Sequence, residues 1–118
     1  NLFLEFAPFK RDWNIPLFEK SCPQNADQTK PLPALLKLFG QKDAKVLEYW
    51  VDNSLFSDWK LPPRHFELNA TVMEADVKAY RQLGFDTITS FGCFLGENYA
   101  ELYGEAKLEE YYRILNME

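Results

Sequence analysis

Cysteine is scarce: Cys22 and Cys93 are the only two in 118 residues. That is too few for a disulfide scaffold. Two free thiols are the plain expectation, with a single bridge open if the chain is exported. Histidine is scarcer still, since His65 stands alone. There is no HxH, HExxH or CxxC, so neither a metal site nor another cofactor is expected. The absence of GxSxG sets aside a serine-hydrolase elbow. Gly92-x-x-x-Gly96 lacks both the GxGxxG spacing and the Lys-Ser/Thr of a P-loop, which leaves nucleotide binding unsupported. Basic residues number 13 against 18 acidic ones, for a net charge of −5. They are mixed along the chain rather than clustered, which argues against a nucleic-acid surface. No apolar run approaches the ~20 residues of a membrane span. No signal-peptide pattern is read in these residues, and that absence means little here. The chain opens at Asn1, directly inside a strand-like run, and is expected to be trimmed from something longer, with any targeting segment lost.

What remains is globular in composition, 47% hydrophobic and 26% charged, and amounts to one domain or less. Aromatic residues make up 16%, including Trp13, Trp50 and Trp59. Core packing is their plain role. Trp13 and Trp59 lie in loop-like segments, where rings also serve as stacking platforms for sugars.

Leu2 to Ala7 reads as a buried strand stopped by Pro8. Phe9 to Pro33 reads as a long irregular loop, of the kind that is usually functional or mobile. Leu32 to Phe39 has helical period, with Pro33 in the first turn and Gly40 as the stop. Val46 to Val51 is the second strand, and Asn53 to Leu68 is loop-like around Pro62-Pro63. Ala70 to Leu83 is the clearest helix. Asn69 or Thr71 can cap it, and Thr71-x-x-Glu74 fits a capping box. Met73, Val77 and Tyr80 form its buried stripe, and Gly84 ends it. Phe85 to Phe91 is a β-branched and aromatic strand. A last amphipathic helix lies within Ala106 to Met117, with Leu108, Tyr111, Tyr112 and Leu115 on its apolar face.

This order is βαβαβα, which implies an α/β fold with parallel strands and right-handed crossovers. Long segments follow strands and short ones follow helices. That asymmetry matches a barrel whose working face lies at the carboxyl ends of its strands. Three strands cannot close a barrel, which needs eight and about 250 residues. The expectation is a C-terminal slice of a (β/α)8 TIM barrel spanning residues 1–118. Its open edges would be completed by the missing N-terminal part or by another copy in a homo-oligomer. A small open α/β interaction module is the alternative.

Three stretches carry a family resemblance. Ser21-Cys22-Pro23-Gln24-Asn25 looks like a CPxN element with a basic residue, Arg11, upstream. Glu48 to Phe56, EYWVDNSLF, looks like a YEYYxDxSLF strand, with Trp50 where a second tyrosine is common. Ala75 to Gly92, ADVKAYRQLGFDTITSFG, is similar to DLxxYRxLGxxGIxT, although Gly92-Cys93-Phe94 departs from the family's more polar turn. Together they resemble the last three βα units of the barrel in a bacterial glycoside-hydrolase-like family of unknown function, with α-glucuronidase-like architecture. The resemblance covers nearly the whole chain. It implies a carbohydrate partner, an exported setting at the periplasm or cell surface, and a sugar-site role for Asn25.

Glycoside hydrolysis usually needs two carboxylates. Glu48 and Asp52 share one strand face, but at ~3.3 Å per residue their backbones lie about 13 Å apart. That exceeds the roughly 5–9.5 Å of either glycosidase geometry. Glu5 and Glu48, on neighbouring strands ~4.8 Å apart, are the better pair, with one pKa raised by the other's charge. The plainer role of each is pairing with a base such as Lys10, Arg11 or Arg64. Asp52 at the strand end suits a sugar hydroxyl. Lys10, Arg11, Lys60, Arg64 and His65 form a uronate clamp if the loops converge; otherwise they are solvated loop charges. The expected catalytic set is therefore Glu5, Glu48 and Asp52. Arg11, Trp13, Asn25, Trp50, Trp59 and Arg64 are expected to shape the sugar site. A catalytically silent carbohydrate-binding domain is the competing reading.

Overall fold

The computed structural model describes residues 2–117. Three strands, β1 (Glu5–Phe6), β2 (Lys45–Asp52) and β3 (Thr87–Cys93), form one sheet in the order β1-β2-β3. Both pairings are parallel, so the chain is α/β with a three-stranded parallel sheet. Among the described residues six helices connect and flank the strands: α1 (Pro23–Thr29), α2 (Leu32–Phe39), α3 (Asn53–Phe56), α4 (Ala70–Gln82), α5 (Glu97–Tyr103) and α6 (Glu109–Leu115).

Local chemistry sets the boundaries. Pro33 sits in the first turn of α2, and Gly40 closes it at φ 79°, a left-handed conformation that costs glycine little. The Asn69 side chain caps α4 by accepting from Val72 N at 3.2 Å, so Asn69 takes the role and the Thr71 box does not. Glu74 instead pairs with Lys78 and Arg113 on the surface. Val72, Met73, Asp76, Val77 and Tyr80 make the buried stripe of α4. Met73, Val77 and Tyr80 pack in one core with Phe6, Val46 and Trp50 of the sheet.

Several sequence expectations shift. The first strand shrinks to Glu5–Phe6, because Pro8 has no N–H for a ladder and the chain turns where Phe9 N donates to Ala7 O. The long loop after it contains α1, begun by Pro23. The turn after β3 contains α5. β3 runs to Cys93 because an irregularity between Glu48 and Val51 lets Val51 and Asp52 pair with Gly92 and Cys93. On α6 the fully buried residue is Ile114, whereas Tyr112 is exposed.

The faces of the sheet are unequal. Phe6 pairs with Val46, and both are buried under the helices. Glu5 pairs with Lys45 on the opposite face, where Thr87, Thr89 and Phe91 are exposed. Alternation along a strand therefore puts Glu48 on the helix-covered face and Glu5 on the other. The expected Glu5–Glu48 pair does not form.

Removing the α4 cap checks the local account. Asn69→Ala should lower stability by about 1 kcal/mol, seen as a lower urea midpoint with an unchanged slope.

Candidate functional site

Glu48 is fully buried in the middle of β2, and an acid cannot stay there unpartnered. Arg11 comes to it from the loop after β1. One guanidinium nitrogen, Nη1, lies 2.9 Å from Glu48 Oε1 and 2.8 Å from Asp76 Oδ2 on α4. The other terminal nitrogen, Nη2, donates to Ile15 O at 3.0 Å. Tyr80 OH donates to Glu48 Oε1 at 2.8 Å. Asp76 also accepts from Leu17 N at 2.7 Å and from Trp50 Nε1 at 2.9 Å. Loop, strand and helix are thus tied by one ionic cluster whose Arg11, Glu48 and Asp76 side chains have no exposure.

One cation here faces two carboxylates. Burial raises the Glu48 pKa from 4.5 to about 7, and Arg11 only partly opposes it because Asp76 shares the same guanidinium and adds its own negative charge. The Tyr80 hydroxyl is pushed up as well, first by burial and then by Glu48. Arg11 moves upward too: burial opposes its charge, but Glu48 and Asp76 outweigh that cost.

The cluster holds two tryptophans. Arg11 lies over the Trp13 ring, 4.7 Å from its centroid, and Asp76 fixes the Trp50 indole. Both rings line a cavity of about 290 Å³ beyond the carboxyl end of β2. Phe56 of α3, the extended strap His65–Leu68 and Val72 of α4 complete its apolar wall, and Asn14, Asn53, His65, Glu67 and Asn69 supply polar groups. Asn53 is fully buried. Its amide nitrogen donates to Arg64 O at 2.8 Å and Phe94 O at 3.3 Å, which locks the side chain. Its Oδ1 has no partner among the described residues.

The expected site residues therefore separate. Trp13 and Trp50 converge on the cavity. Arg11 sits behind them, neutralised by Glu48 and Asp76. Asn25 is fully buried and works as a loop clamp, accepting from Asp12 N at 2.7 Å and donating toward Ile15 O at 3.1 Å. Asp52 caps α3, accepting from Ser54 N at 3.1 Å and from the Ser54 hydroxyl. Trp59 is 62% exposed and outside the cavity lining. Arg64 is spent on an exposed pair with Asp58. The uronate clamp does not assemble, since Arg11 is buried and Arg64 points to solvent. Of the basic candidates only His65 reaches the cavity.

Sequence reasoning missed Asp76, Tyr80's hydroxyl role, Asn53 and the strap. One signal was present: Asp76 falls inside the apolar stripe of α4, between Met73 and Val77, where a carboxylate must have a buried partner. His65 was a basic candidate by residue type, but nothing local marks Glu67, because the strap is irregular.

Protein-family models, curated proteins and solved structures were all searched, and no match to the chain was found.

Two consequences can be measured. Glu48 has its folded-state pKa raised, so its contribution is fully present below its unfolded value near 4.5 and is lost as pH rises through about 7. Between those values the stability of the wild type should fall relative to Glu48→Gln, read as the difference between two urea-midpoint profiles. Arg11→Met leaves two buried carboxylates without their cation. It should cost about 3–5 kcal/mol in urea unfolding at neutral pH.

Proposed function

We propose that the cavity beyond β2 binds a sugar unit, and that this domain recognises glycans rather than hydrolysing them. The observation that carries the reading is the lining itself. The partly buried Trp13 ring and, beneath it in the core, Trp50 are held from behind by the buried cluster, beside a rim of amides, an imidazole and a carboxylate. Rigid aromatic faces beside a few fixed polar groups suit a ligand with apolar C–H faces and many hydroxyls.

Hydrolysis fits less well. Glu67 is the single carboxylate of the lining, whereas both glycosidase geometries use two. Glu48 has a pKa suited to a general acid, but it has no exposure and its Oε1 is engaged by Arg11 and Tyr80. Glu5 and Asp52 lie outside the cavity lining.

The barrel-slice reading belongs to the same proposal. The strands are parallel, helices cover one face, and the other face holds the exposed Phe91 and Thr89. A parallel sheet is normally covered on both faces, and the inner face of a barrel is covered by its other strands. The cavity lies at the carboxyl end of a parallel strand, where such folds place their ligands.

Titration with simple sugars, followed by tryptophan fluorescence and calorimetry, tests the assignment. Trp13→Ala should weaken binding about tenfold, while Trp59→Ala leaves it unchanged. Equal loss from both variants, or turnover that disappears in Glu48→Gln, would reject the binding reading.

A further inference from the structure

The strap His65–Leu68 has two sides. One lines the cavity with Trp13 and Trp50. The other lines a second hollow of about 520 Å³, completed by Tyr99 and Tyr103 of α5 and by Glu105, Lys107 and Glu110. The two spaces share His65, Phe66, Glu67 and Leu68 and no other lining residue. They therefore adjoin along the strap, a single extended segment that forms a wall of each.

That wall is fixed. Tyr99 OH accepts from Phe66 N at 3.1 Å, and Tyr103 OH donates to Pro63 O at 3.0 Å. Asn53 holds Arg64 O from the cavity side, and Ser57 Oγ accepts from Arg64 N at 2.9 Å. With their hydroxyls engaged, the tyrosines present rings rather than polar tips. Tyr99 is buried, but Tyr103 is 43% exposed, and its ring meets the exposed His65 ring edge-on with centroids 5.2 Å apart. His65 stands where the two spaces meet.

We infer that the hollow beyond the strap is a second sugar subsite, so that the ligand is an oligosaccharide whose next unit packs on the Tyr103 ring. This rests on the assignment of the first cavity to a sugar unit. Charge restricts the second unit. Glu67 and Glu105 face it beside the ammonium of Lys107, and Glu110 is paired with Arg113 at 2.7 Å, so a neutral or cationic sugar fits better than a uronate.

Chain-length dependence in calorimetry is the test, with glucose against cellotriose, N-acetylglucosamine against chitotriose, and trigalacturonate as the anionic probe. Within at least one neutral series the trimer should bind about tenfold more tightly than the single sugar, and trigalacturonate should show no such gain. Tyr103→Ala should bring the trimer and the single sugar to the same affinity. Tyr103→Phe should retain the gain, since it keeps the ring. Glu105 is exposed and has no side-chain bond among the described residues, so Glu105→Lys reverses a charge in the hollow without touching the core. It should give trigalacturonate the gain over its single sugar that the wild type lacks, and it decides the matter if Tyr103→Ala does not fold. Single-sugar binding with no gain for any trimer, or trigalacturonate binding unchanged by Glu105→Lys, overturns the second subsite and leaves the first intact. Failure of every sugar, the single ones included, overturns the first assignment and this one with it.

Discussion

Arg11 lies between Glu48 and Asp76, and the arrangement of the rest depends on that contact. Glu48 comes from the central strand, Asp76 from the longest helix, and Arg11 from the loop after β1. A buried charge without a partner is strongly destabilising, so the three elements cannot drift apart independently. Apolar packing of Val46, Met73 and Val77 supplies non-directional attraction. The ionic cluster supplies the directional part, fixing how α4 sits along β2 and where the loop crosses the sheet.

The cluster has an excess of acid over base, which explains why Glu48 rather than Arg11 yields. In an enclosed space one cation cannot fully compensate two ionised carboxylates. Asp76 receives donors from Leu17, Trp50 and Arg11. Glu48 receives Arg11 and Tyr80 on one oxygen, and the other has only a long contact from Tyr49 N at 3.4 Å. Burial therefore favours the protonated form of Glu48.

In the proposed reading the same residues connect stability to ligand binding. Trp13 rests against the Arg11 guanidinium and Trp50 hangs from Asp76. The rings that face the cavity are thus oriented by groups that never reach it. A binding surface built this way loses little side-chain entropy when a ligand arrives, because the rings are already fixed. The strap on the far side is held by the same logic, through Asn53, Ser57, Tyr99 and Tyr103.

The periodic parts were legible in the amino-acid order: α2, α4, the central strand, the parallel α/β order and the glycine stops at Gly40 and Gly84. These follow from local rules, since hydrophobic period, proline in a first turn and positive-φ glycine act over a few residues. Even Asp76 was legible as a carboxylate in an apolar stripe. Tertiary structure decided the partners. Glu5 and Glu48 lie on neighbouring strands but opposite faces, because a one-residue difference in register reverses the side chain. Arg11 finds Glu48 across 37 positions, and the strap finds Tyr99 across 33. Such pairings are chosen by the three-dimensional closure of loops, where no local period exists to mark them. The cavity is made of those pairings.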